Sequence, residues 1–112
     1  MNLFTRTQEA FSTIDCNELE QIIKSNGTEI ELIDVRTEQE HSGGHIPNSL
    51  NINLMGPDFV GKLDKLNKNK TYYVYCASGN RSKTACSQMT KMGFANINNI
   101  RMGMMGWSGA VE

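Results

Sequence analysis

The 112-residue chain has no long apolar run, almost no net charge and no closely spaced cysteines. Each absence removes a class of protein. No segment approaches the roughly 20 apolar residues that a membrane-spanning helix needs. Eleven basic and twelve acidic residues leave a net charge of -1, which gives a nucleic-acid-binding role little support. The N-terminal "MNLFTRTQEAFSTID" lacks the apolar core and small-residue cleavage site of a secretory signal. A cytoplasmic location is therefore expected. The three cysteines, Cys16, Cys76 and Cys86, are odd in number and form no CxxC pair. That argues against a disulfide framework and against a cysteine-rich zinc site. Internal repeats, low-complexity tracts and linkers are absent too. One domain over residues 1–112 is expected, long enough to bury about two-thirds of its unfolded surface.

What is present is an alternation of strands and short helices. "STIDCNELEQIIKSNG" opens as a strand and becomes a helix capped by Asp15, with Glu18 three residues on as in a capping box. Leu19, Ile22 and Ile23 form its apolar stripe, and Asn26-Gly27 ends it. "EIELIDV" reads as a buried strand, and Thr37 with Glu40 repeats the capping signal for a short helix stopped by Gly43-Gly44. "SLNINL" reads as a strand, "PDFVGKLDKLN" as a helix, and "TYYVYC" as the most strongly marked strand. "RSKTACSQMTKM" is a helix with Ala85, Met89 and Met92 at helical spacing; Gly93 ends it and "NINNI" is the last strand. Five strands alternating with helices predict an α/β fold: a central, mostly parallel five-stranded sheet with helices on both faces.

Ligands of such sheets gather at the carboxyl ends of the strands, where Cys76 stands. An ordinary thiol is largely protonated at neutral pH and a poor nucleophile. Cys76 precedes a helix, whose unpaired N–H groups and positive dipole end favour the anion. Ala77, Ser78, Gly79 and Asn80 have little bulk, so their amides can curl inward around an anion. Arg81 then brings a permanent charge and a planar fork of donors. Ser82 could donate to the sulfur anion or simply support the helix start. A free cysteine at a strand end is often only core. The ordered set of cysteine, small loop, arginine and helix start favours covalent catalysis instead.

These residues resemble the active-site loop of the rhodanese-like sulfurtransferases. "LIDVRTEQEHSGGHIPNSLNINL" is similar to that family's Asp-Val-Arg strand end and Gly-His-Ile-Pro stretch. "VYCASGNRS" matches its loop of cysteine, four residues, arginine and serine, and "RMGMMGW" its closing glycine-rich turn and tryptophan. The resemblance implies a rhodanese-like fold and sulfur transfer. The Cys76 thiolate would take a sulfane sulfur from thiosulfate or a persulfide and pass it to a nucleophile such as cyanide or a thiol. Arg81 would share the catalysis, and Ala77, Ser78, Gly79, Asn80 and Ser82 would line the substrate site. No metal or organic cofactor is implied, and a persulfide-carrying protein is a further candidate partner. Protein tyrosine phosphatases resemble this loop but hold five residues between cysteine and arginine. A cysteine-dependent phosphatase or oxyanion reductase is the alternative enzyme, and a binding module on the same fold the alternative non-enzyme. Two positions depart from the family pattern. Met102 stands at the first of two usual glycines, and Asn48 follows the proline where a small residue is usual.

Other polar residues read as structural. Asp34 is expected to hold neighbouring backbone, and Arg36 to pair with Glu38 or Glu40. His41 and His45 are four apart, but Gly43-Gly44 interrupts any helix between them, so His45 is expected to be a hydrogen-bonding residue rather than a metal ligand. Cys86 and Cys16 are expected in packing, with a resolving-thiol role for Cys16 the lesser reading. The seven methionines are expected to fill core gaps, the exposed ones offering an adhesive surface as the other possibility.

Overall fold

The computed structural model describes residues 10–26 and 30–112. Five parallel strands form one sheet: β1 (Ser12–Ile14), β2 (Glu31–Asp34), β3 (Leu50–Asn51), β4 (Thr71–Tyr75) and β5 (Asn96–Ile100), in the order β1-β5-β4-β2-β3. The helices are α1 (Cys16–Asn26), α2 (Glu38–Ser42), α3 (Phe59–Asp64), α4 (Asn80–Lys91) and α5 (Gly103–Gly106). The expected α/β architecture is thus present, and the sheet is parallel throughout.

Strand β4 lies at the centre, in register with β2 on one side and β5 on the other. Successive strand side chains point to opposite faces, and here that splits the core in two. Tyr72, Val74 and Cys76 join Ile33, Val35, Phe59, Leu63, Ala85, Cys86 and Met89 on one face. Tyr75 joins Leu19, Leu32, Ile46 and Ile100 on the other, with Tyr73, Ile23 and Trp107 against them. Helices therefore cover both faces, α3 and α4 on the first and α1 on the second.

Both capping boxes form. The Glu18 amide donates to Asp15 Oδ1 at 2.8 Å. In α2 the Glu40 amide donates to Thr37 Oγ1 and the Thr37 amide to Glu40 Oε1. The Asn26-Gly27 stop lies partly outside the described residues. Helix α3 is shorter than its apolar spacing suggests. Asp58 before it is left-handed at φ 62°, and after Asp64 the chain tightens, with the Leu66 amide donating to the Leu63 carbonyl. β3 keeps two ladder residues, because "SLNINL" forms the sheet's edge and pairs only with β2.

Methionine as core filler needs correction. Met89 is fully buried, but Met55, Met102 and Met105 are exposed. The last two belong to the α5 turn, which lies over the strand ends with its outer face to solvent. Among the described residues no helix is long and apolar enough to cross a membrane.

Candidate active site

Three strand ends meet at one rim: Val35 after β2, Cys76 after β4 and Arg101 after β5. The Val35 amide donates to the Tyr75 carbonyl at 3.0 Å, so β2 and β4 stay joined to the base of the Cys76 loop. Gly79 takes φ +100° and turns the chain from the loop into α4. The loop carbonyls are tied outward, since Met104 and Met105 amides of α5 donate to Cys76 O and Ala77 O, each at 2.9 Å. That close docking requires glycine at 103, where a Cβ would overlap the Cys76 carbonyl.

With carbonyls held outward, the amides face the sulfur. The Gly79 amide donates to Cys76 Sγ at 3.1 Å and the Ser82 amide at 3.3 Å. The Ser82 hydroxyl oxygen lies 3.4 Å from the sulfur. Burial pushes the Cys76 thiol up. The Ser82 hydroxyl and the Ser82, Gly79 and Ser78 amides together outweigh it, so the net shift is down. Cys76 itself has no exposed surface, which leaves the sulfur on the floor of the loop.

The structure thus gathers Cys76, Ser78, Gly79 and Ser82 at one atom. Ala77 serves through its tied carbonyl. Asn80 is exposed, opens α4 and has no hydrogen bond to the sulfur among the described residues. Arg81 departs most from a donor-binding cation. Its guanidinium grips both oxygens of Glu40 at 2.8 and 2.9 Å. Held first by that contact, Glu40 is lowered to about 2.

The expected pairing of Arg36 with Glu38 or Glu40 is wrong. Arg36 lies two residues beyond Asp34, so in extended chain the two side chains share a face. Its Nε and Nη2 donate to the Asp34 carboxylate, the shorter at 2.7 Å, and Nη2 also donates to Gly44 O. Burial raises Asp34, but Arg36 and His41 lower it further. The expected backbone role of Asp34 is also present, since its Oδ1 accepts from the Arg36 amide. His41 and His45 stack at 3.7 Å between ring centroids, and His45 Nδ1 lies 2.8 Å from the His41 carbonyl.

Two site residues escaped the sequence. Glu40 was legible as a cap but not as the partner of Arg81, 41 positions away. Asn99 is buried on β5, and the Ser82 hydroxyl donates to its Oδ1 at 2.5 Å. The signal for Asn99 was there: a polar residue in the same strand phase as Ile97, close to the strand end. Such a residue needs a partner. Cys16 lies under the α5 turn, its thiol donating to Gly103 O at 3.3 Å and Arg101 O at 3.5 Å. Cys86 is fully buried within the core.

The chain is similar to known proteins in both sequence and fold. Two Bacillus subtilis relatives carry the names "Putative sulfurtransferase YtwF" and "Putative sulfur carrier protein YrkF". The first is 41% identical over 75% of this chain and 79% of its own. The second is 35% identical over 74% of this chain but only 44% of its own. The crystal structure of a rhodanese-like domain protein from Staphylococcus aureus superposes with a TM-score of 0.80, at 29% identity, covering 91% of this chain and 97% of its own. The rhodanese-like domain model matches residues 15–110, and the chain belongs to that family.

Proposed function

We propose that the protein is a sulfurtransferase that carries a sulfane sulfur as a persulfide on Cys76. The observation that supports this most is the direction of the hydrogen bonds: backbone N–H groups point at the sulfur and favour its anion. The names of the Bacillus relatives, a sulfurtransferase and a sulfur carrier, support the same class of chemistry.

In the first half-reaction the Cys76 thiolate attacks the outer sulfur of a donor such as thiosulfate. The donor S–S bond breaks, sulfite leaves with the electron pair, and Cys76 holds a terminal sulfur anion. The Gly79 and Ser82 amides that served the thiolate lie next to that anion. In the second half-reaction a thiol or cyanide attacks the terminal sulfur and the Cys76 thiolate leaves. Neither half needs a metal or a redox cofactor, since the attacking group supplies the pair for each new bond and the departing group keeps the pair of the S–S bond that breaks. Arg81 is committed to Glu40, so it shapes the loop flank and offers a donor less charge than an unpaired arginine would. Donors that are themselves persulfides, small or protein-borne, suit a flank of this kind.

Excess thiosulfate followed by desalting should add the mass of one sulfur atom, mapped to the Cys76 peptide, and cyanide should remove it. Sulfur mapped to Cys16 or Cys86, or a modification that no nucleophile removes, would break the assignment.

A further inference from the structure

Ser82 has one hydroxyl proton and two claimants for it. With the thiol protonated, Cys76 S–H can donate to Ser82 Oγ while Ser82 donates to Asn99 Oδ1, the arrangement the 3.4 and 2.5 Å distances describe. Once Cys76 is an anion, its sulfur can only accept. The hydroxyl is useful to it only by turning its proton away from Asn99. Ser82 Oγ then needs a new donor, because the residue is fully buried and an orphaned oxygen there is costly. Asn99 can supply one. A side-chain amide carries an acceptor on one arm and donors on the other. Asn99 also lines a surface cavity of about 180 Å³ beside Ser78, Gly79 and Lys83, and turning its amide over exchanges two arms of nearly equal size.

We infer that Asn99 is a positioning residue whose amide reverses to follow the charge of Cys76, accepting from Ser82 when the sulfur is a thiol and donating to it when the sulfur is an anion. The proposal rests on Cys76 as the reacting thiol and adds what lets Ser82 serve both halves of the cycle. Only one proton is lost, and Ser82 and Asn99 keep theirs. The thiol proton leaves to solvent, the hydroxyl rotates, and the amide exchanges one arm for the other.

Other charges act on the thiol. Arg81 faces it from α4 with Glu40 against it from α2, and Asp34, Arg36 and His41 cluster at the end of β2. Lys83 and Arg101 stand on the outer side of the loop with Asn99. Asn99 carries no charge, so its effect has to pass through Ser82 and can be separated from theirs by substitution.

The test reads the rate of Cys76 alkylation by iodoacetamide against pH, followed by peptide mass. It reports ionisation whether or not sulfur is the cargo, and burial of the thiol scales the rate without moving the midpoint. In Asn99→Asp the carboxylate only accepts, holds the hydroxyl proton and adds a negative charge. The midpoint should rise by about one unit, a roughly tenfold slower reaction below it. Asn99→Ala removes the acceptor that serves the thiol and the donor that serves the anion alike, so its midpoint should stay near that of wild type. In Ser82→Ala the Asn99→Asp change should lose most of its effect, because the link is gone. Three results would overturn the proposal: an unmoved midpoint in Asn99→Asp, an equal rise in Asn99→Ala, or an undiminished rise without Ser82. If Asn99→Asp proves too unstable to read, an Asn99→Ala midpoint near that of wild type supports the proposal, and one clearly raised, or clearly lowered as a fixed acceptor would give, sinks it.

Discussion

Cys16 and Cys76 lie at the same end of the sheet, are both buried, and touch the same short turn, residues 101–106. Their thiols nonetheless move in opposite directions. Cys76 is lowered against its burial. Cys16 is raised, by burial first and then by Asp15. Burial cannot be the cause of the difference, since the more buried of the two is the lowered one. What faces each sulfur is: the Ser82 hydroxyl and the loop amides at Cys76, the Asp15 charge and backbone carbonyls at Cys16. The α5 turn offers its carbonyls at Arg101 and Gly103 to Cys16, which favours the S–H form. It offers its amides at Met104 and Met105 to the carbonyls of the other loop, which frees that loop to aim N–H groups at Cys76. One turn therefore quiets one thiol and helps to activate the other.

The comparison breaks most directly by substitution. Cys76→Ser should take sulfur transfer to background with the fold retained, because a hydroxyl is far less acidic and cannot form a persulfide. Cys16→Ala should keep most of the activity, since its sulfur carries hydrogen bonds to backbone carbonyls rather than chemistry. Steady-state thiosulfate:cyanide assays and circular dichroism on both variants decide the matter. Turnover surviving in a folded Cys76→Ser protein would end the assignment. A Cys16→Ala protein that accumulates persulfide but cannot discharge it would make Cys16 a resolving thiol.

Much of this contrast was legible in the chain. Strand-helix alternation carried the architecture, and both capping boxes announced their helices, because these signals are local. The Cys76 loop was legible for the same reason: cysteine, small residues and the following helix are contiguous. What could not be read was long-range. Arg36 looked forward to Glu38 and Glu40, yet Asp34 two places back shares its strand face and its burial. Glu40 was then left for Arg81, a pairing made only when the fold brings α2 within reach of the first turn of α4. Asn99 likewise reaches Ser82 only through the placement of β5 beside β4.

A smaller effect sharpens the charge side of the comparison. Glu40→Gln keeps a capping side chain for α2 but releases Arg81. The pair is about a third exposed, and such pairs are worth at most about 1 kcal/mol, so a roughly fivefold effect is the scale expected. KM for thiosulfate should fall by about that factor as Arg81 becomes available to an anion, with neutral donors unaffected. Equal changes for both kinds of donor would show that Glu40 only holds the loop. The same variant tests pH dependence. Glu40 is depressed in the folded protein, from 4.5 to about 2. Its contribution is therefore full above the ordinary carboxylate range and drains away as pH falls from there towards about 2. Wild type should lose stability over that window, and Glu40→Gln should show a shallower loss in thermal melts.

The smallest expected effect lies in the shared turn itself. Met102 and Asn48, the two departures from the family pattern, both adopt left-handed backbone, at φ 68° and 69°. Asparagine tolerates that region because its short polar side chain can bond locally; methionine has no such compensation. The cost for a residue with a Cβ is about 1 kcal/mol. Met102 is also half exposed, so its side chain returns little by burial. Met102→Gly should relieve the strain, set against the greater freedom glycine adds to the unfolded chain. A net gain of roughly 0.5 kcal/mol would raise the melting temperature by about 2–4 °C in a domain of this size. Because Gly103, Met104 and Met105 make their contacts through backbone, both thiols should keep their partners and the Cys76 alkylation midpoint should not move. A lower melting temperature would mean that the Met102 side chain, packed against Gly106, holds the turn in place, and a shifted midpoint would mean that it also sets the aim of the amides around Cys76.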